Sequence, residues 1–137
     1  MPFSHVALPV GEHYEEMRDF YKAILAPLGY EFKFEGVGTK GAHYCGFGLK
    51  NGPPDFWLGG GSHALPKYDG NLEDRIAPVH IAFDAENPKG VDEWHEAALK
   101  AGATDNGKPG PREYRPGYYA AFVLDPVGNN IEVLHLP

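Results

Sequence analysis

A single cysteine, Cys45, is all the thiol the sequence carries, so no intramolecular disulfide can form and a reducing compartment is the expected setting. Basic residues are also few: 12 Lys and Arg stand against 19 Asp and Glu, a net charge of -7, and no basic run occurs. That balance argues against a nucleic-acid partner, whose binding rests on clustered cations that neutralise phosphates. No stretch approaches the ~18 apolar residues of a membrane span, and the start Met-Pro-Phe-Ser-His has neither the basic nor the apolar region of a secretory leader. The expectation is a soluble, cytoplasmic protein with no membrane and no nucleic-acid partner. Hydrophobic residues at 42% and aromatics at 13% exclude a disordered chain, while 18 Gly and 13 Pro without a collagen period point to many short elements joined by turns. At 137 residues the chain reads as one domain able to bury a two-layer core.

From Phe3 to Val10 the chain alternates, placing Val6, Leu8 and Val10 on one face of a strand and His5, Ala7 and Pro9 on the other. Met17, Phe20, Tyr21, Ile24, Leu25 and Leu28 then recur at helical spacing and mark a helix over Glu12 to Leu28. Glu12, Glu15 and Glu16 suit its positive end, and Pro27 and Gly29 its stop. Strands are expected over Tyr30–Glu35, His43–Leu49 and Asp55–Leu58, with a turn at Asn51-Gly-Pro-Pro54. Residues 61–77, beginning in the run Gly59-Gly60-Gly61, read as a connection. The pattern then restarts. Val79, Ile81 and Phe83 alternate with His80, Ala82 and Asp84, Asn87-Pro88 opens a helix reaching Ala101, and Gly102 stands where Gly29 stood. A strand over Ala103–Lys108, a loop over Pro109–Pro116, and strands over Gly117–Leu124 and Ile131–Leu136 complete the series.

His5 and His80 are 75 positions apart, Gly29 and Gly102 are 73 apart, and Gly52 and Gly128 are 76 apart. A repeat of that length makes the chain two βαβββ modules, residues 1–60 and 78–137, with 61–77 between them, in an α+β fold. Reading on from the turn glycines sets Glu132 opposite Phe56, so one module holds a carboxylate where the other does not. Asp125-Pro-Val-Gly-Asn-Asn-Ile-Glu132 is a tight turn entering a strand whose one charged residue among apolar ones is Glu132. Two readings stand for it: an outward-facing glutamate on a half-exposed strand, or a metal ligand if histidines converge on it. His13 and His95 read as surface residues of the helices. His43, His63 and His135 have weaker claims to a site, and Trp57 and Trp94 read as packing.

With a histidine on the first strand of each module, in Ser4-His5-Val6-Ala7 and Val79-His80-Ile81-Ala82, and the terminal Asp-Pro-x-Gly-Asn-x-Ile-Glu, the whole chain resembles the vicinal oxygen chelate superfamily. That superfamily includes glyoxalase I, bleomycin-resistance proteins, fosfomycin-resistance transferases and extradiol dioxygenases. The stretch Tyr-Tyr-Ala-Ala-Phe-Val-Leu-Asp-Pro, Tyr118 to Pro126, is most similar to that of small glyoxalase-like members.

The resemblance implies a cup-shaped mixed sheet with the helices outside, into which His5 and His80 point. With Glu132 they would form a His, His, Glu set for one divalent ion, with Fe, Mn, Zn, Ni and Mg all open. Glyoxalase I has a second glutamate at the position matched here by Phe56, so the resemblance implies other chemistry on a small, oxygen-rich substrate: a lyase or isomerase, dioxygenase or transferase. The catalytic candidates are Glu132, Tyr118 and Arg115. Phe56, Arg112, Tyr114 and Tyr119 are candidates to contact substrate, the arginines through a negative charge and a tyrosine through a proton. The same loop also reads as a solvated turn with aromatic residues packing its base. The alternative function is a metal-free protein that binds a small molecule or antibiotic, as bleomycin-resistance proteins do. A homodimer is expected, with modules paired within a chain or exchanged between chains.

Overall fold

The computed structural model describes residues 4–38, 41–59 and 79–137. They divide into two compact units, one holding residues 4–22, 29–38 and 41–59 and the other residues 23–28 and 79–137. The expected connection, with His63 in it, lies outside the described residues.

In the first unit, β1 (Val6–Leu8) leads through a 3-10 turn into α1 (Tyr14–Leu25), and β2 (Tyr30–Val37), β3 (His43–Leu49) and β4 (Phe56–Gly59) follow. The sheet order is β1-β4-β3-β2, with β1 parallel to β4 and the remaining pairs antiparallel. The helix, whose residues from 23 on are counted with the second unit, forms where the apolar residues recur at helical spacing, and Met17, Phe20 and Tyr21 are each at most 4% exposed. Tyr21 meets Phe56 with ring centroids 4.8 Å apart, and Phe56 meets Phe47 at 6.1 Å. These rings are the core between helix and sheet. The ends are shorter than periodicity suggests: the last helical residues form a 3-10 turn over Ala26–Leu28, where Pro27 has no N–H for an α-helical bond. β1 begins one residue after His5.

The second unit repeats the plan with β5 (His80–Asp84), α2 (Pro88–Lys100), β6 (Thr104–Pro111), β7 (Tyr119–Leu124) and β8 (Asn130–His135), in the order β5-β8-β7-β6. β5 runs parallel to β8 and the other pairs are antiparallel. Asn87 caps α2 by accepting a bond from the Gly90 amide, and Pro88 takes the first helical position, where its missing N–H costs nothing. Val91, Trp94 and Ala98 are fully buried, and so are Ile131 and Val133 of β8. β6 runs on to Pro111 where a loop was expected, pairing Gly110 with Ala120 and Pro111 with Tyr119 across two irregularities of register. The true loop is therefore 112–118. His95, expected at the surface, is 6% exposed, with Nε2 2.9 Å from Asp105 Oδ1 on β6.

The two sheets and two helices are the expected α+β pair of βαβββ modules. Among the described residues no helix is long and apolar enough to cross a membrane.

Candidate functional site

The turn before β8 is built around one buried carboxylate. Asp125 Oδ1 accepts bonds from the Val127 amide at 3.0 Å and the Asn129 amide at 2.9 Å, while Oδ2 accepts from Asn129 Nδ2 at 2.8 Å. Asn129 Oδ1 in turn accepts from the Val79 amide, which ties the turn to the start of β5. Gly128 sits at φ 92°, a left-handed conformation that glycine adopts without strain. With the turn locked, the register is set: Ile131 and Val133 go beneath α2, and Glu132 takes the opposite face, paired with Ala82 of β5 and Phe122 of β7.

On that face Glu132 is 4% exposed, and both of its oxygens are engaged. Oε1 accepts a 2.7 Å bond from the Tyr118 hydroxyl, and Oε2 lies 3.1 Å from His80 Nε2. The other nitrogen of His80 is 3.2 Å from the Asn130 carbonyl, so the imidazole is oriented from both sides while its side chain stays half exposed. Phe122 stacks on it at 6.2 Å. Burial and the bond to Glu132 push the Tyr118 hydroxyl up to about 12, so at neutral pH it is a proton donor. An open groove of about 500 Å³ continues from Tyr118 along the loop, lined by Pro88, Arg112, Tyr114, Arg115 and Tyr119 among others. That volume lies within the usual range for small-molecule sites.

Of the residues expected at the site, the structure thus joins His80, Glu132 and Tyr118, with Tyr114 edge-on to Tyr118 at 5.3 Å. Arg112 is committed elsewhere. Its guanidinium donates to the carbonyls of Lys108 and Pro111 and lies over Phe122, which leaves the exposed Arg115 as the cation facing the groove. Tyr119 points to the helix side, where its hydroxyl donates to Asp92 of α2 at 2.8 Å. The assignment of Phe56 is corrected. β1 pairs Ala7 with Trp57 as β5 pairs Ala82 with Glu132, so the counterpart of Glu132 is Trp57, while Phe56 lies 1% exposed beneath α1. The first module's turn is one residue longer, which is why alignment from the glycines is off by one. His43 stacks on Tyr14, and His135 reaches the Ala85 carbonyl. Sequence reasoning missed Phe122 and Asn130, although both follow from counting alternate residues along β7 and β8.

The His80–Glu132 pair fits a metal ion as an edge of its coordination shell. Two ligands at ~2.1 Å from one ion stand ~3.0–3.4 Å apart for angles between octahedral and tetrahedral, and the two donor atoms here are 3.1 Å apart. Among the described residues no group of three or more His, Cys, Asp or Glu is gathered for a metal. His5 belongs to the first unit, exposed just ahead of β1, with Nδ1 3.0 Å from Ser4 Oγ.

Comparison with known proteins gives a consistent relationship. The family model for the Glyoxalase/Bleomycin resistance protein/Dioxygenase superfamily matches residues 3–133. A glyoxalase/bleomycin resistance protein from Albidiferax ferrireducens is 26% identical, with 100% of both chains covered at a TM-score of 0.62. A glyoxylase/bleomycin resistance protein/dioxygenase domain from Frankia sp. is 19% identical at a TM-score of 0.71, covering 100% of this chain and 98% of that one. Lactoylglutathione lyase from Agrobacterium tumefaciens is 19% identical at 0.61, over 96% and 90% of the two chains. The last two share the fold. No curated protein matches the sequence.

Proposed function

The chain belongs to the Glyoxalase/Bleomycin resistance protein/Dioxygenase superfamily, and from that premise we propose that it is a metal-dependent enzyme acting on a small, oxygen-rich substrate at His80, Glu132 and Tyr118. The observation that carries this reading is the buried Glu132 carboxylate, held between a half-exposed imidazole and a protonated phenol beside a groove. A buried acidic side chain on a strand face needs partners, and one of those that Glu132 has, His80, keeps its side chain half open to solvent.

In this proposal His80 and Glu132 hold one divalent ion, with His5 as the third ligand. Such an ion would polarise a substrate oxygen and stabilise the charge that develops on it. The chain's own residues do the rest. Glu132 accepts a proton from the substrate, and Tyr118 keeps the carboxylate oriented and supplies a proton from its hydroxyl. Arg115, at the groove, meets a negative charge on the substrate.

Both oxygens of Glu132 are already satisfied by protein donors, which favours a second reading: a metal-free protein that binds a small molecule. Metal analysis separates the two. Protein purified without chelator should carry close to one equivalent of a divalent metal, and Glu132→Gln should lose it while keeping the wild-type circular dichroism spectrum. Equal metal content in the two proteins would rule out the ligand assignment.

A further inference from the structure

Phe122 lies on β7 with Glu132 of β8 as its cross-strand neighbour on one side and Gly107 of β6 on the other. Because Gly107 has no side chain, the space above β6 beside the Phe122 ring is left to another group, and the Arg112 guanidinium takes it. A Cβ at Gly107 would stand 3.0 Å from Phe122 Cδ2 and 3.5 Å from Arg112 Nη2, and one at Gly110 would stand 3.2 Å from Arg112 Nη1. Arg112 is held there by its fork: Nη2 donates to the Lys108 carbonyl at 2.7 Å and Nη1 to the Pro111 carbonyl at 3.2 Å, with Cζ 5.5 Å from the centre of the Phe122 ring. A planar cation suits the negative face of an aromatic ring, and a forked donor suits two carbonyls at once.

On the side of β8 the same ring stacks with the His80 imidazole, centroids 6.2 Å apart and planes 24° from parallel. The two polar contacts of that imidazole, 3.2 Å to the Asn130 carbonyl and 3.1 Å to Glu132, are at the long end of the hydrogen-bond range and act in the plane of the ring. They set where the nitrogens lie and leave the ring faces to their neighbours. The His80 side chain is 49% exposed, so much of it meets only solvent, and Phe122 is the ring stacked against it. An ion held between His80 and Glu132 would also replace the second of the two polar contacts, leaving the Asn130 carbonyl and Phe122 to hold the imidazole.

We infer that Phe122, seated by Arg112, is a positioning residue that holds the plane of the His80 imidazole for metal binding. The consequence for metal rests on the reading of His80 as a ligand, whereas the stack itself is a property of the chain alone. An imidazole without a neighbour on its face turns about its side-chain torsions, and it loses that freedom when it binds an ion. A ring already held has less to lose. Outer partners that orient a metal-binding histidine are worth roughly 10- to 100-fold in affinity, and a ring contact belongs at the lower end of that range. The same arrangement gives Arg112, whose fork is engaged by the carbonyls of Lys108 and Pro111, a role through Phe122 rather than on a substrate.

Two measurements on the full-length protein test this. In metal-free protein, three-bond couplings of the His80 side chain, assigned by comparison with His80→Asn, report whether χ1 keeps one rotamer. Wild type and Phe122→Tyr, which keeps the ring, should show one rotamer. Phe122→Leu, which keeps the bulk without the ring, and Arg112→Ala, which leaves the ring unseated, should both show averaging. Zinc affinity, from competition with a chromophoric chelator, should fall about tenfold in Phe122→Leu and stay within about twofold of wild type in Phe122→Tyr, with circular dichroism confirming each fold. Arg112→Ala carries both measurements if Phe122→Leu does not fold. A single His80 rotamer in the folded variants overturns the proposal, and so does averaging that leaves zinc affinity unchanged. A wild type that binds no zinc sinks the metal reading instead, and the couplings then decide the positioning by themselves.

Discussion

Replacing Asp125 by alanine should cost the protein about 3 kcal/mol. The carboxylate is 5% exposed and accepts three bonds of 2.8 to 3.0 Å, two from backbone amides and one from the Asn129 side chain. A hydrogen bond to a charged group contributes ~1.5–3 kcal/mol, and a buried donor left without an acceptor costs ~1–3 kcal/mol. The three bonds close one turn and are not independent, so their sum overstates the loss, and about 3 kcal/mol remains. For 137 residues that corresponds to a fall in Tm of roughly 10 °C. Asp125→Asn is the informative companion. Its remaining carbonyl can still accept the two backbone amides, but its NH2 faces Asn129 Nδ2, another donor, so it should lose about half as much. Urea denaturation at pH 7 followed by circular dichroism measures both. A loss below about 1 kcal/mol for Asp125→Ala would refute the reasoning, because the backbone bonds Asp125 N to Asn129 O and Gly128 N to Asp125 O would then hold the turn alone.

Two other outcomes follow from the geometry. Neither Phe56 nor Trp57 offers a carboxylate opposite Glu132, so protein loaded in turn with Ni(II), Zn(II), Mn(II) and Fe(II) should give little or no turnover of the methylglyoxal–glutathione hemithioacetal. A kcat in the ~1 to 10³ s⁻¹ range with any of them would show that another base takes that role. The His95 bond to Asp105, joined by the Gly107 amide, holds the Asp105 carboxyl below its ordinary range. A folded-state value below the unfolded one means stability that is fully present above the unfolded value of about 4 and is lost as pH falls through the lower folded value. The Tm difference between wild type and Asp105→Asn should therefore shrink as pH falls below about 4, and a difference that grows as pH falls below that point would reverse the sign of the argument.

The fold was legible because duplication prints each signal twice. Alternation around His5 and His80, the helical spacing from Met17 to Ile24, and Asn87-Pro88 as a helix opening all report local physics that the tertiary structure has no reason to override. Boundaries were less legible. β6 continues through Pro109 and Pro111 because a strand at the end of the sheet order tolerates a missing N–H on its open side. His95 looked exposed because a charged-neighbour helix pattern cannot show that Asp105, ten residues on, would meet it. The same limit applied to the loop: five polar or aromatic candidates sat within eight residues, and only strand parity separates Tyr118, facing Glu132, from Tyr119, facing α2.

The misplacement of Phe56 has a different origin and says most about how the two modules diverged. Turn glycines are anchors for φ, and the chain between an anchor and a strand can gain a residue without disturbing either. Gly52 precedes Trp57 by five positions, whereas Gly128 precedes Glu132 by four. What cannot shift is parity, because moving β4 by one residue would turn Phe56 and Leu58 out of the core and put Trp57 under α1. Parallel pairing with the first strand is therefore the reliable frame for aligning duplicated sheets. In that frame the position opposite Ala7 and Ala82 carries an indole in one module and a carboxylate in the other. The core faces stayed apolar in both copies, and the opposite faces diverged, one to polar chemistry around Glu132 and the other to aromatic rings around Trp57.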